Sequence, residues 1–260
     1  RQMIEESLDA GLLPILSTAV ANVVGVDPSL PVDRGYTISD LGLGYEHELA
    51  GEFAAAITAY EADRSALEGQ RQQDLWASLT YRLAPALLAE DQTEAARDAF
   101  WDALDRDPRH TFGRTTRAQN QLLRNLAHEY EIPLFDAVSR FESASRDRLI
   151  GNSLFSDGHH PNVAGYQLLA EGFAEALSAH FSTPVHTHFR NPDEILDRFY
   201  TQHRDQPPAI TAGWYLGAAS MHPWPDILMD HAAAYAKQAL DINSDLLSGW
   251  IVLGAAAADR

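Results

Sequence analysis

Apolar residues recur along this chain in two rhythms, and the change of rhythm divides it. Residues 1–10 set Met3, Ile4 and Leu8 on one helical face, with Gly11 placed to cap the helix. The run "LLPILSTAV" at 12–20 is nearly continuous in apolar residues, as expected of a strand buried on both faces. Far downstream "AHEYEIPLFDAV" passes from a helix end into a short strand around 132–135. A helix then places Tyr166, Leu169, Phe173, Ala176 and Leu177 on one face. Alternating helices and buried strands predict an α/β class with a parallel sheet. Residues 1–36 and 111–182 are thus expected to form one discontinuous α/β unit.

The material between them keeps the helical rhythm only. Two helix–turn–helix pairs fill residues 37–110. In the second pair Ala96, Phe100, Ala103 and Pro108 take the small, aromatic, small and proline positions of the ~34-residue tetratricopeptide pattern. The first pair offers Leu43-Gly44, Ala56 and Tyr60 in the same order. Small residues belong where two helices touch, the aromatic fills the groove beside them, and proline stops the helix. In residues 193–260 the pattern returns. Ala232, Ala236, Ala239 and Leu240 sit at second-helix positions, and "WIVLG" at 250–254 opens another first helix.

Composition narrows the function. The chain has 260 residues, of which 45% are hydrophobic and 22% charged, ordinary values for a globular protein. Its net charge of −18 and lack of a cation cluster argue against nucleic acid as a partner. No apolar run approaches the ~20 residues of a membrane helix. Without cysteine, disulfides and thiolate metal sites are excluded. The opening residues read as a helix running into a strand, so the chain is expected to begin inside a domain, with any targeting segment upstream.

The stretch carrying the most chemistry is "SDGHHPNVAGY", residues 156–166. An acid three residues before a histidine can fold back in a tight turn and accept a hydrogen bond from the ring's Nδ1–H. That bond fixes the tautomer and leaves Nε2 able to take a proton. Asp157 and His160 are therefore the candidate catalytic acid and base. Pro161 is placed to end the turn and begin the next helix.

This string resembles the last conserved block of the SGNH (GDSL-type) serine hydrolases, in which Asp-x-x-His-Pro supplies acid and base and "HPNxxGY" continues the pattern. The resemblance implies a three-layer α/β/α fold built on a flavodoxin-like parallel sheet. It also implies hydrolysis of acyl or acetyl esters, often of carbohydrates, with no cofactor or metal. The chain is similar in outline to bacterial proteins that combine such a hydrolase with tetratricopeptide repeats. Membership would suggest an extracytoplasmic or envelope setting. The family's Gly-Asp-Ser nucleophile motif, oxyanion glycine and Gly-x-Asn block occur nowhere here, so the nucleophile is expected upstream of Arg1. An upstream serine would attack the ester while His160 takes its proton and Asp157 holds the ring.

Other readings compete. In a second class of function, the repeats make an interaction scaffold for protein partners and the hydrolase module is vestigial. A metal could use Asp157, His159 and His160 with the "HTH" pair His186 and His188, although adjacent histidines on a turn are expected to point apart. Ser153 and Ser156 read as loop serines, and Asn22 as a turn former or pocket residue. Arg114 and Arg117 read as solvated helix charges.

Overall fold

The computed structural model describes residues 1–28, 36–68, 72–107, 113–181 and 225–258. Its elements in chain order are α1 (Gln2–Asp9), β1 (Leu16–Ser17), α2 (Gly42–Leu49), α3 (Phe53–Ala66), α4 (Gln73–Ala89) and α5 (Thr93–Arg106). After these come α6 (Arg117–Glu129), β2 (Leu134–Phe135), α7 (Ala137–Ala144), α8 (Val163–Phe181), α9 (Pro225–Ile242) and α10 (Leu247–Ala258). The fold is predominantly helical. Among the described residues the sheet has two strands, β1 parallel to β2, with Leu16 opposite Leu134 and Ser17 opposite Phe135.

That sheet corrects the expected class. A three-layer α/β/α, flavodoxin-like core needs a wide parallel sheet covered on both faces, and two strands of two residues do not make one. The apolar run at 12–20 was expected to be strand throughout, yet Leu12 is exposed and extended pairing is confined to Leu16 and Ser17. Pro14 has no N–H to give a ladder. On α1 only Ile4 is buried, while Met3 is 81% exposed. On α8 the buried positions are Gly165 and Gly172, and Tyr166, expected on the buried face, stands out.

The helical rhythm fared differently. Helices α2 to α5 follow one another as packed neighbours, and α4 lies between α3 and α5. Ala56, Ala96 and Ala103 have no exposed surface, and Tyr60 and Phe100 fill the space beside them. A Cβ on Gly44 would fall 2.4 Å from the Tyr60 ring, so this residue lets α2 approach α3. Pro108 and all of 193–224 lie outside the described residues. In the C-terminal hairpin Ala236, Ala239 and Val252 are buried between α9 and α10, while Trp250 is exposed.

One apolar core joins the hairpins to the remainder. It contains Tyr60, Leu79, Leu83 and Phe100 from the helices together with Ala21, Val23, Phe141, Ile150 and Phe155. Beside it α4 grips the backbone of the segment after β1. Tyr81 Oη donates to Val24 O at 2.5 Å, Ser78 Oγ to Pro28 O at 3.4 Å, and Arg82 lies 3.6 Å from the Asp27 carboxylate. Arg82 also meets Glu48 at 3.1 Å, and Glu48 accepts from Tyr60 Oη at 2.5 Å.

Arg114, expected to be solvated, is buried in this layer. It donates to Asn22 O at 3.2 Å and Val26 O at 3.0 Å and pairs with the buried Asp107 at 3.7 Å. The reason is local: the segment ahead of α6 runs beside carbonyls that bond no strand, and a guanidinium can serve several of them at once. Burial depresses its pKa, opposed by Asp107. Arg117 is half exposed but held by Asp102 and Asp105.

Two ties fix the strand ends. Asn120 donates to Ala19 O at 3.0 Å and accepts from Ala19 N at 2.8 Å. Thr18 Oγ1 donates to Asp136 Oδ1 at 3.0 Å and accepts from Val138 N at 3.0 Å, and Asp136 also caps α7.

Two outcomes follow from this packing. A Cβ on Gly172 would fall 2.0 Å from the Phe135 ring, so Gly172→Ala should lower stability by about 1–3 kcal/mol in urea melts. Gly254→Ala, on α10 with nothing within 4 Å, should leave it equal or raised. Second, burial pushes the Asp27 carboxyl up to about 6 against the pull of Arg82 and Arg114. Its folded pKa exceeds the unfolded value, so ionisation costs stability as pH rises through the interval from 3.8 to about 6. With a quarter of the side chain still reaching solvent, the loss is roughly 2 kcal/mol. Asp27→Asn should flatten that part of the stability–pH curve.

Candidate functional site

Residues 151–165 form a turn pinned at both ends. Phe155 and Pro161 make an antiparallel bridge, with Ser156 N donating to His160 O at 2.9 Å and Asn162 N to Leu154 O at 2.9 Å. Pro161 belongs to this bridge rather than to the helix. Asn162 is the residue before α8, and its Oδ1 accepts from Gly165 N at 3.1 Å as a cap. Gly165 has no room for a side chain, since a Cβ there would meet Leu154 O at 2.4 Å.

Inside the turn the structure brings Asp157 and His160 together. Asp157 Oδ1 accepts from the backbone amides of His159 and His160 at 2.8 and 2.7 Å. Oδ2 lies 2.7 Å from His160 Nδ1. An ionised carboxylate can only accept, so the ring donates Nδ1–H. Burial raises the pKa of Asp157, but the two amides and the imidazole outweigh it and leave the carboxyl below its ordinary value. The Asp157 side chain is 8% exposed and that of His160 50%.

Asn22 holds the turn from behind. Its N–H donates to Gly158 O at 3.0 Å, and its Nδ2 donates to Asp157 O at 2.9 Å and Asn152 Oδ1 at 2.7 Å. Wholly buried, it braces the backbone.

The expected divergence of the two histidines is overturned. Their rings lie 3.9 Å apart between centroids, tilted by 42°. Asp157, His159 and His160 each offer one ligand atom within 4.8 Å of the others, so this group could hold a metal. His186 and His188 lie outside the described residues.

The hydrolase assignment does not stand. Neither Ser153 nor Ser156 completes a Ser–His–Asp triad among the described residues, and the sheet on which an SGNH hydrolase builds its site is lacking there. The ester-hydrolase activity and the family resemblance are therefore corrected together. What the pair can do chemically is accept a proton or a ligand at the exposed ring.

A second polar feature escaped the sequence pattern. Arg97, Arg117, Arg124 and Arg148 ring a cleft of about 340 Å³ with Asp98, Asp136, Glu142 and the buried Trp101. These residues come from α5, α6, the β2–α7 junction, α7 and the turn after α7, so only packing unites them. Each guanidinium already has a carboxylate: Glu94 for Arg97, Asp102 and Asp105 for Arg117, Asp136 for Arg124 and Glu142 for Arg148. Each arginine charge at the cleft is thus met by an acid.

Set against protein-family models, curated proteins and solved structures, the chain matches none.

The geometry of the turn can be checked. Nitrogen-15 NMR should show His160 as the Nδ1–H tautomer at neutral pH, and Asp157→Asn should weaken that preference. Asp157→Ala removes an acceptor of three hydrogen bonds and should cost about 1–3 kcal/mol. Because this carboxyl is depressed in the folded state, the wild-type advantage should be present at neutral pH and shrink as pH falls through the folded pKa.

Proposed function

We propose that the chain is a protein-interaction scaffold whose working surface is the outer side of the α2–α5 hairpins. The observation that carries this reading is the serial packing of these helices around small buried residues, with α2 at the end of the stack. Stacked hairpins offer long, rigid surfaces for partners. Residues 24–28 lie against α4, so the partner face is sought on the exposed side of α2. On α2, Leu43, Glu46 and Leu49 are exposed at a spacing that keeps them on one side of the helix. An apolar stripe with an acid on a chain of charge −18 suits a partner segment that carries apolar groups and cations. No described helix is long and apolar enough to cross a membrane. In this reading Asp157 and His160 form a polarised binding pair on the scaffold.

A photocrosslinker placed at Leu43 should yield one discrete adduct with a protein of the source cell. Leu49→Asp should remove the adduct without lowering the melting temperature. Absence of any adduct from α2, or an adduct unaffected by Leu49→Asp, would overturn the proposal.

A further inference from the structure

We infer that the turn bearing Asp157, His159 and His160 is a binding site for a divalent transition-metal ion of the zinc class. The inference stands apart from the scaffold reading and rests on the placement of three donors. His160 Nδ1 is 2.7 Å from Asp157 Oδ2, and His159 Nδ1 is 3.9 Å from Oδ1. Metal–donor bonds of ~2.0–2.1 Å in tetrahedral geometry set donor atoms roughly 3.3 Å apart. One ligand atom from each of the three residues already lies within 4.8 Å of the others, so shifts of at most about 1.5 Å bring a single carboxylate oxygen and two ring nitrogens to that spacing. Both imidazoles are about half exposed, while the carboxylate has 8% of its side chain exposed.

The carboxylate is aimed in advance. Two backbone amides hold its Oδ1, and Asn22 fixes the carbonyl of the same residue. This is the supporting shell that an oxygen ligand needs to keep its direction. Coordination through Nδ1 moves the ring proton of His160 to Nε2, so the imidazole stays neutral and solvent receives no net proton from it. Two imidazoles and a carboxylate favour zinc, cobalt, nickel or copper(II) over calcium and magnesium, which prefer oxygen alone. With three donors from the chain, a fourth position remains for water or for a partner's side chain.

The test uses the full chain and zinc chloride in isothermal titration calorimetry. One ion per chain should bind, and cobalt(II) should give visible absorption of tetrahedral intensity. His159→Asn leaves the Asp157–His160 hydrogen bond intact, so it should keep the melting temperature while weakening zinc at least about tenfold, the margin typical of a lost supporting contact. Nitrogen-15 shifts of both rings should move on zinc addition. A double substitution of His186 and His188 to Ala should leave binding unchanged. No binding, binding indifferent to His159→Asn, or binding lost with the His186 and His188 pair would each overturn the inference.

Discussion

The grip of α4 and Arg114 on the backbone of residues 22–28 is the constraint on which the structure depends. After β1 the chain leaves the sheet and enters the interior without a strand or helix to satisfy its carbonyls. A buried unpaired carbonyl costs free energy comparable to a lost hydrogen bond. Tyr81, Ser78 and Arg114 supply the missing donors to Val24, Pro28, Asn22 and Val26. The helical hairpins are thus joined to the segment after β1 and to α7 through one core and one polar layer.

That layer also reaches the Asp157 turn. Arg114 holds Asn22 by its carbonyl, and Asn22 holds the turn by its side chain. A buried cation from the segment ahead of α6 and a loop-borne imidazole are therefore linked through a single asparagine. Geometry at His160 consequently depends on residues that share no motif with it.

The legible part of the sequence was local. The acid and the histidine three residues on folded back upon one another because the spacing closes one turn, and the small–aromatic–small spacing put Ala96, Phe100 and Ala103 inside a hairpin. Sheet width was not legible. A strongly apolar run such as 12–20 suits a buried strand, but strand pairing needs partners, and the run itself does not say how many exist. Arg114 misled for a related reason: charge predicts exposure unless carbonyls wait in the interior, and that is a tertiary fact. The arginine-ringed cleft shares this property, since its residues come from separate helices and the turns beside them. The resemblance to a hydrolase rested on one short block, and a turn of that chemistry can be built on a helical frame.

The pairing of β1 with β2 has a consequence for how the molecule forms. Thr18 and Asp136, the contacts that close this pair, are 118 positions apart in the chain. Ordering so long a connection from a coil is entropically costly and slow. The hairpins between them are made of neighbouring helices and can nucleate early. Once assembled, they shorten the span to be closed, so the two-residue ladder is expected to close after the hairpins.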